Sequence, residues 1–196
     1  QLITATDRGV VTLWDRQAQH AVWSVHPLTG TVNSLALSPD EQWLAVAIQK
    51  AFFVIELATG QLRQEHYNAR DTVAGVQWVA RPAWSQLLPT TSADMPFFLY
   101  LSRRVRQTTD PQLLLMTWGG DGEVHFWHRD PLVEVLRLRE EWYWPPYRSP
   151  ITAAALSPNR AGLLMVGDSG HLRIWQLWLD QPETLLNVLT ARRTLP

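Results

Sequence analysis

Short apolar runs separated by polar turn residues succeed one another along the chain, and they sort into units of up to four strands. Residues 2–6 and 10–14 predict two strands around the turn Asp7-Arg8-Gly9, and 21–25 predicts a third. The second unit has all four: 32–38, 43–48, 52–57 and 61–66, with Ala58-Thr59-Gly60 joining the last two. Its first strand ends in Ser38-Pro39-Asp40-Glu41, where proline presets φ for a turn and aspartate bonds its own backbone. The third unit opens at 73–79 and resumes at 113–118, 122–127 and 132–139, while the fourth runs 151–157, 163–167 and 172–177. A last outer element near 184–190 carries Leu185, Leu186, Val188 and Leu189, a pattern that fits a strand or a helix equally.

One pattern recurs at the centre of these units, a glycine followed five positions on by a tryptophan: Gly9 to Trp14, Gly122 to Trp127 and Gly170 to Trp175. Acidic turn residues, Asp7, Asp121 and Asp168, precede each copy and read as turn formers that bond local backbone N–H groups. Alternation places Val124 and Phe126 on one face and His125 and Trp127 on the other, with Leu172 and Ile174 opposite Arg173 and Trp175. Both faces carry bulk, which suits a sheet packed between two neighbours better than a sandwich strand with one wet side. A repeat of about 40 to 45 residues with four short strands is the signature of propeller blades. The third unit departs from it by about 31 inserted residues, Ala80 to about Pro111, where Pro82, Pro89, Pro96 and Pro111 argue against a long helix.

Composition narrows the chemistry. A chain of 196 residues, 46% hydrophobic, buries a sizeable core, and a formal net charge of -1 gives no global field to attract nucleic acid. Without cysteine there is no disulfide framework, thiolate metal site or cysteine nucleophile, and a cytoplasmic or other intracellular compartment is expected. The apolar stretch Met95 to Leu101 is far short of a membrane span, and the first residues lack the pattern of a signal peptide. Six histidines are scattered over strands and loops, and His125 and His128 fall on opposite faces of their strand, so they cannot ligate one metal together. No phosphate loop, dinucleotide fingerprint or nucleophile elbow occurs, and no catalytic, cofactor-binding or metal residue is assigned.

The glycine-to-tryptophan copies, Thr12-Leu13-Trp14-Asp15, and the strand endings Leu35-Ala-Leu-Ser-Pro-Asp40 and Ala155-Leu-Ser-Pro-Asn159 resemble the WD-repeat family of β-propellers. The resemblance implies an all-β fold of four-stranded antiparallel blades, about four of them, forming an incomplete ring or a segment of a larger propeller. One β-propeller segment, 1–196, is expected, with units at approximately 1–29, 30–68, 69–149 (insertion 80–111) and 150–196. The resemblance also implies a buried histidine–aspartate–tryptophan network, yet Leu28, Ala69 and Tyr147 stand where the family's histidine falls.

A noncatalytic scaffold for protein–protein interaction in a large intracellular complex follows as the expected function. The expected partners are other proteins and the remainder of the propeller, from the same or another chain, with no membrane. Two stretches outside the repeat are the expected contact sites. Arg103, Arg104 and Arg106 offer a grip for phosphate or an acidic partner, with a solvated loop as the plain alternative. Trp142, Tyr143, Trp144 and Tyr147, stiffened by two prolines, offer desolvatable area, or else fold onto their own blade. An RNA-binding or ribonucleoprotein role built on this arginine and aromatic surface is the alternative function, though nucleic acid is the less expected partner.

Overall fold

A computed structural model describes residues 1–67, 71–80, 113–139, 149–157, 162–168, 170 and 172–176. Among them are fourteen strands and no helix. The strands are β1 (Leu2–Ala5), β2 (Val11–Asp15), β3 (His20–Val25), β4 (Val32–Leu37), β5 (Trp43–Ile48), β6 (Ala51–Glu56) and β7 (Leu62–His66). Then come β8 (Val73–Ala80), β9 (Leu113–Gly119), β10 (Glu123–His128), β11 (Val133–Arg139), β12 (Ile151–Leu156), β13 (Gly162–Gly167) and β14 (Leu172–Gln176). They form four sheets in which chain neighbours pair: β1-β2-β3, β4-β5-β6-β7, β8-β9-β10-β11 and β12-β13-β14. The strands expected from the hydrophobic pattern are present in the expected order, with ends shifted by a residue or two. The inserted stretch after Ala80 and the 184–190 element lie outside the described residues.

The hairpin turns explain the recurring glycines. Gly9, Gly122 and Gly170 each donate N–H to the carbonyl three residues back, Thr6, Gly119 and Gly167, at 3.3, 3.2 and 3.0 Å. Each sits at positive φ, where a side chain strains the backbone. Gly9 has a second constraint, because a Cβ there would lie 1.9 Å from the Leu28 carbonyl oxygen. The Ser-Pro turns close in one way too: the Ser38 and Ser157 hydroxyls accept the N–H of Trp43 and Gly162, at 2.9 and 2.8 Å.

The chain divides into two compact units, Gln1–Trp78 and Val79–Pro196. In the first, Val11 and Leu13 of β2 are buried with Leu44, Val46 and Ile48 of β5 and Ala51, Phe53 and Ile55 of β6. Trp23 closes this core by donating its indole N–H to the Leu57 carbonyl at 2.7 Å. In the second, Val124 and Phe126 of β10 are buried with Leu114, Met116 and Leu138 against Ile151, Leu163 and Met165. The two cores follow one rule. Leu13 and Phe126 hold the same place in their strands, one residue before the tryptophan, and their face covers the face of the next sheet that carries Ile55 in one unit and Leu163 in the other.

The repeat also carries its irregularities in register. The pairing between third and outer strands slips by one residue immediately before Trp14, Ile55 and Trp127, leaving Val22, Arg63 and Val135 as the extra residues. Bulges that recur at one place belong to the blade itself.

The repeat predicts equivalent third-strand positions for the three tryptophans, mostly buried between neighbouring sheets. Their strands and registers are equivalent: Trp14 opposes Leu2, Trp127 opposes Leu115 and Trp175 opposes Leu163. Trp127 is 8% exposed, whereas Trp14 is 38% exposed. The difference has a physical cause: the Leu13 side of the first sheet is packed on the second sheet, and Leu2 and Trp14 lie on its other, uncovered side. The side chain of Trp175 lies outside the described set.

Candidate functional site: a charged network around His125

The alternation of β10 puts His125 and Trp127 on one face, where their rings stack with centroids 5.8 Å apart. The turn ahead of β10 supplies Asp121, whose Oδ1 accepts the Glu123 N–H at 3.1 Å and whose Oδ2 lies 3.0 Å from His125 Nε2. The slip in β11 brings Glu134 opposite Trp127, and Glu134 Oε1 lies 2.6 Å from His125 Nδ1. Arg137, in register with His125, grips Glu134 through Nε and a terminal nitrogen at 2.8 and 2.6 Å and lies 3.5 Å from the buried Glu123 carboxylate.

With a carboxylate oxygen at each ring nitrogen, His125 donates from both and is an imidazolium. Burial alone lowers its pKa, but the hydrogen bonds to Asp121 and Glu134 and their charges override that and hold it at about 9. For Glu134 burial acts upward, and the bonds from His125 and Arg137 override it, holding the carboxyl at about 2. Arg137 is pushed above its ordinary value, mainly by the Glu134 bond. Oxygen and nitrogen atoms of Asp121, Glu123 and His125 lie within 4.8 Å of one another, as metal ligands do. The imidazole is the obstacle: with a proton on each ring nitrogen directed at a carboxylate, it has no lone pair left for a metal, so the arrangement is an ion-pair network rather than a ligand set.

Sequence reasoning missed this network, although it noticed each half of it. The position of the family's usual histidine is filled by other residues, as expected, but an imidazole reaches the aspartate and the tryptophan from within β10 instead. The signal that could have found it is the string Asp121-Gly-Glu-Val-His125, which alternation places on one face with the acidic turn. Of the turn acids, Asp121 bonds local backbone as expected. In the first blade Thr6 takes that work from Asp7, its hydroxyl accepting the N–H of Arg8 and Val10 at 3.3 and 3.1 Å. Asp168 instead accepts the Ser149 hydroxyl at 2.7 Å. His128 lies on the opposite face from His125, as alternation requires, and is buried. The expected partner-binding residues Arg103, Arg104, Arg106, Trp142, Tyr143, Trp144 and Tyr147 lie outside the described residues.

Comparison with known proteins decides the architecture. Residues 18–47 match the family described as WD domain, G-beta repeat. The chain also superposes on the solved structure titled "Crystal structure of RRP9 WD40 repeats", with a TM-score of 0.60 and 18% sequence identity. The superposition covers 98% of this chain and 46% of that one. This is the WD-repeat propeller fold. No curated protein sequence matches the chain. The matched WD repeat begins before β3 and ends within β5, so the sequence repeat straddles two sheets: it takes the outer strand of one blade and the first strands of the next.

The WD-repeat aspartate has a visible purpose here. Asp15 Oδ1 accepts the N–H of Gln17 and Ala18 at 2.8 and 3.1 Å, closing the turn between third and outer strands, and these bonds hold its carboxyl below the ordinary range. At the equivalent place in the third blade His128 Nδ1 accepts the Asp130 N–H at 3.2 Å. In the second blade Glu56 accepts the Thr59 hydroxyl at 2.6 Å and pairs with Arg63. Three different residue types satisfy one requirement, a side-chain acceptor at the last position of the third strand.

Proposed function

We propose that this chain is a noncatalytic scaffold that docks other proteins, among them further propeller blades, within a larger intracellular assembly. WD40 repeats are protein-interaction scaffolds in general. One observation supports the noncatalytic part of the reading. The chain's densest described cluster of ionisable groups, Asp121, Glu123, His125, Glu134 and Arg137, is turned on itself by hydrogen bonds and ion pairs, and its histidine has no free nitrogen for proton transfer.

The contact segments proposed are those the repeat does not account for. A long insertion costs only a fraction of a kcal/mol per doubling of loop length, so it is tolerated without adding stability. Arg103, Arg104 and Arg106 supply charge there, and Trp142, Tyr143, Trp144 and Tyr147 supply aromatic area suited to a binding hot spot. Affinity capture from the source cells, followed by titration of the captured protein, tests the reading. Alanine at Trp142 and Trp144 is expected to weaken that complex by about 2 kcal/mol or more with strand content unchanged. Tight binding of single-stranded RNA with a steep salt dependence would replace this reading by the ribonucleoprotein one.

A further inference from the structure

Asp121-Gly122 is the one aspartate–glycine or asparagine–glycine step in the sequence. Such a step is among the least durable in a polypeptide, because glycine has no Cβ to keep its backbone nitrogen away from the preceding side chain. The nitrogen attacks the side-chain carboxyl carbon, a C–N bond forms, and the carboxyl hydroxyl leaves with the amide hydrogen as water. Water then reopens the five-membered succinimide. Entry at the side-chain carbonyl restores aspartate, whereas entry at the backbone carbonyl leaves the chain running through Cβ and Cγ, as isoaspartate. Water is the only co-reactant, and nothing is oxidised or reduced.

The fold holds both reacting groups away from that chemistry. The Gly122 N–H is directed at the Gly119 carbonyl, 3.2 Å away. The Asp121 carboxylate is held at both oxygens: Oδ1 accepts the Glu123 N–H at 3.1 Å and Oδ2 accepts the His125 Nε2–H at 3.0 Å. Its carbon reaches the Gly122 nitrogen only by turning about the Cα–Cβ bond, and that turn carries both oxygens off their donors. His125 cannot follow, since its other ring nitrogen is bonded to Glu134 at 2.6 Å and its ring stacks on Trp127. Water is a poor substitute for these donors, because the Asp121 side chain is only 11% exposed.

We propose that Asp121-Gly122 is a latent site of succinimide formation and isomerisation, and that the His125 network is what keeps it closed. Isomerisation adds one backbone carbon to the turn between β9 and β10 and takes the carboxylate out of reach of His125. Damage at this step therefore also dismantles the restraint that had prevented it. The proposal is independent of the scaffold reading, since it concerns the chain's own backbone and no partner.

The test incubates the purified chain at neutral pH and body temperature and scores isoaspartate in the tryptic peptide 107–129, with electron-transfer fragmentation placing it at Asp121 rather than Asp110. Isomerisation in the native chain is expected to be slower than in a synthetic peptide of residues 117–125 by about tenfold or more, and to rise about threefold or more in His125→Gln. Gly170→Ala guards against an effect of general destabilisation. It strains a turn in the same compact unit but leaves the network in place, so its rate is expected to match the native one. The comparison of native chain with peptide stands whether or not the His125 variant keeps its fold. A native chain that isomerises as fast as the peptide, a His125→Gln chain no faster than the native one, or an equal rise in Gly170→Ala would each overturn the proposal.

Discussion

Trp127 donates its indole N–H to the hydroxyl of Thr117 at 2.9 Å, across the β9–β10 pair and under full burial. The bond from Trp14 to Thr4 repeats it residue for residue in the first blade, but near the surface. One sequence thus contains the same bond in a dry and a wet setting.

Removing Thr117's hydroxyl with valine leaves a buried donor unsatisfied and is expected to destabilise the fold by about 1–3 kcal/mol, while Thr4→Val should cost well under half of that. Trp127→Ala is expected to cost about 3–5 kcal/mol and Trp14→Ala clearly less, because much of Trp14 never leaves water. Urea unfolding of the four variants checks the order. Equal losses at the two sites would show that burial does not set them apart.

The charged network makes stability depend on pH at both ends. His125 is held at about 9 against an ordinary 6.5, so its contribution is complete below about 6.5 and is lost as pH rises through 9. Glu134 is held at about 2 against an ordinary 4.5, so its contribution is complete above about 4.5 and is lost as pH falls through 2. Unfolding free energy is therefore expected to be greatest between about pH 4.5 and 6.5. His125→Gln should flatten the alkaline decline and lower stability at pH 6, since three carboxylates lose a cation among them. An alkaline decline of equal size in that variant would assign it to other groups.

Gly9 and Gly170 separate backbone strain from steric clash. Both have positive φ, but nothing lies within 4 Å of a Cβ added at Gly170, whereas at Gly9 it meets a backbone oxygen. Gly170→Ala should cost about 1 kcal/mol, the strain of the left-handed conformation alone. Gly9→Ala adds a clash that only backbone movement relieves, and a loss of about 3 kcal/mol or more is expected. Thermal melts of the two variants give the comparison.

What the sequence made legible was whatever depends on neighbours along the chain. Alternation and turn residues are local, so the strand order and the faces of Val124, Phe126, His125 and Trp127 could be read directly. The charged network could not, because Glu134 reaches His125 only through the one-residue slip in β11, and a slip is not written in the hydrophobic pattern. The exposure of Trp14 was illegible for another reason. Its own sequence is that of a buried position, and only the sheet that does or does not cover it decides the outcome. Thr6 in place of Asp7 shows a third limit: either residue can close the turn, and backbone geometry chooses between them.

The recurring slip beside Trp14, Ile55 and Trp127 also shapes the outer edges of three sheets. A flat outer strand is a template on which another chain can lay a strand and continue indefinitely. Here Val22, Arg63 and Val135 each add one residue to an outer strand at the same register position of its own sheet, and a straight incoming strand is expected to fall out of phase with the hydrogen-bonding groups there. A bulged edge is a poorer template whatever charge its side chains carry, so substitutions that recolour the rim are expected to promote strand addition less than a deletion that restores its phase.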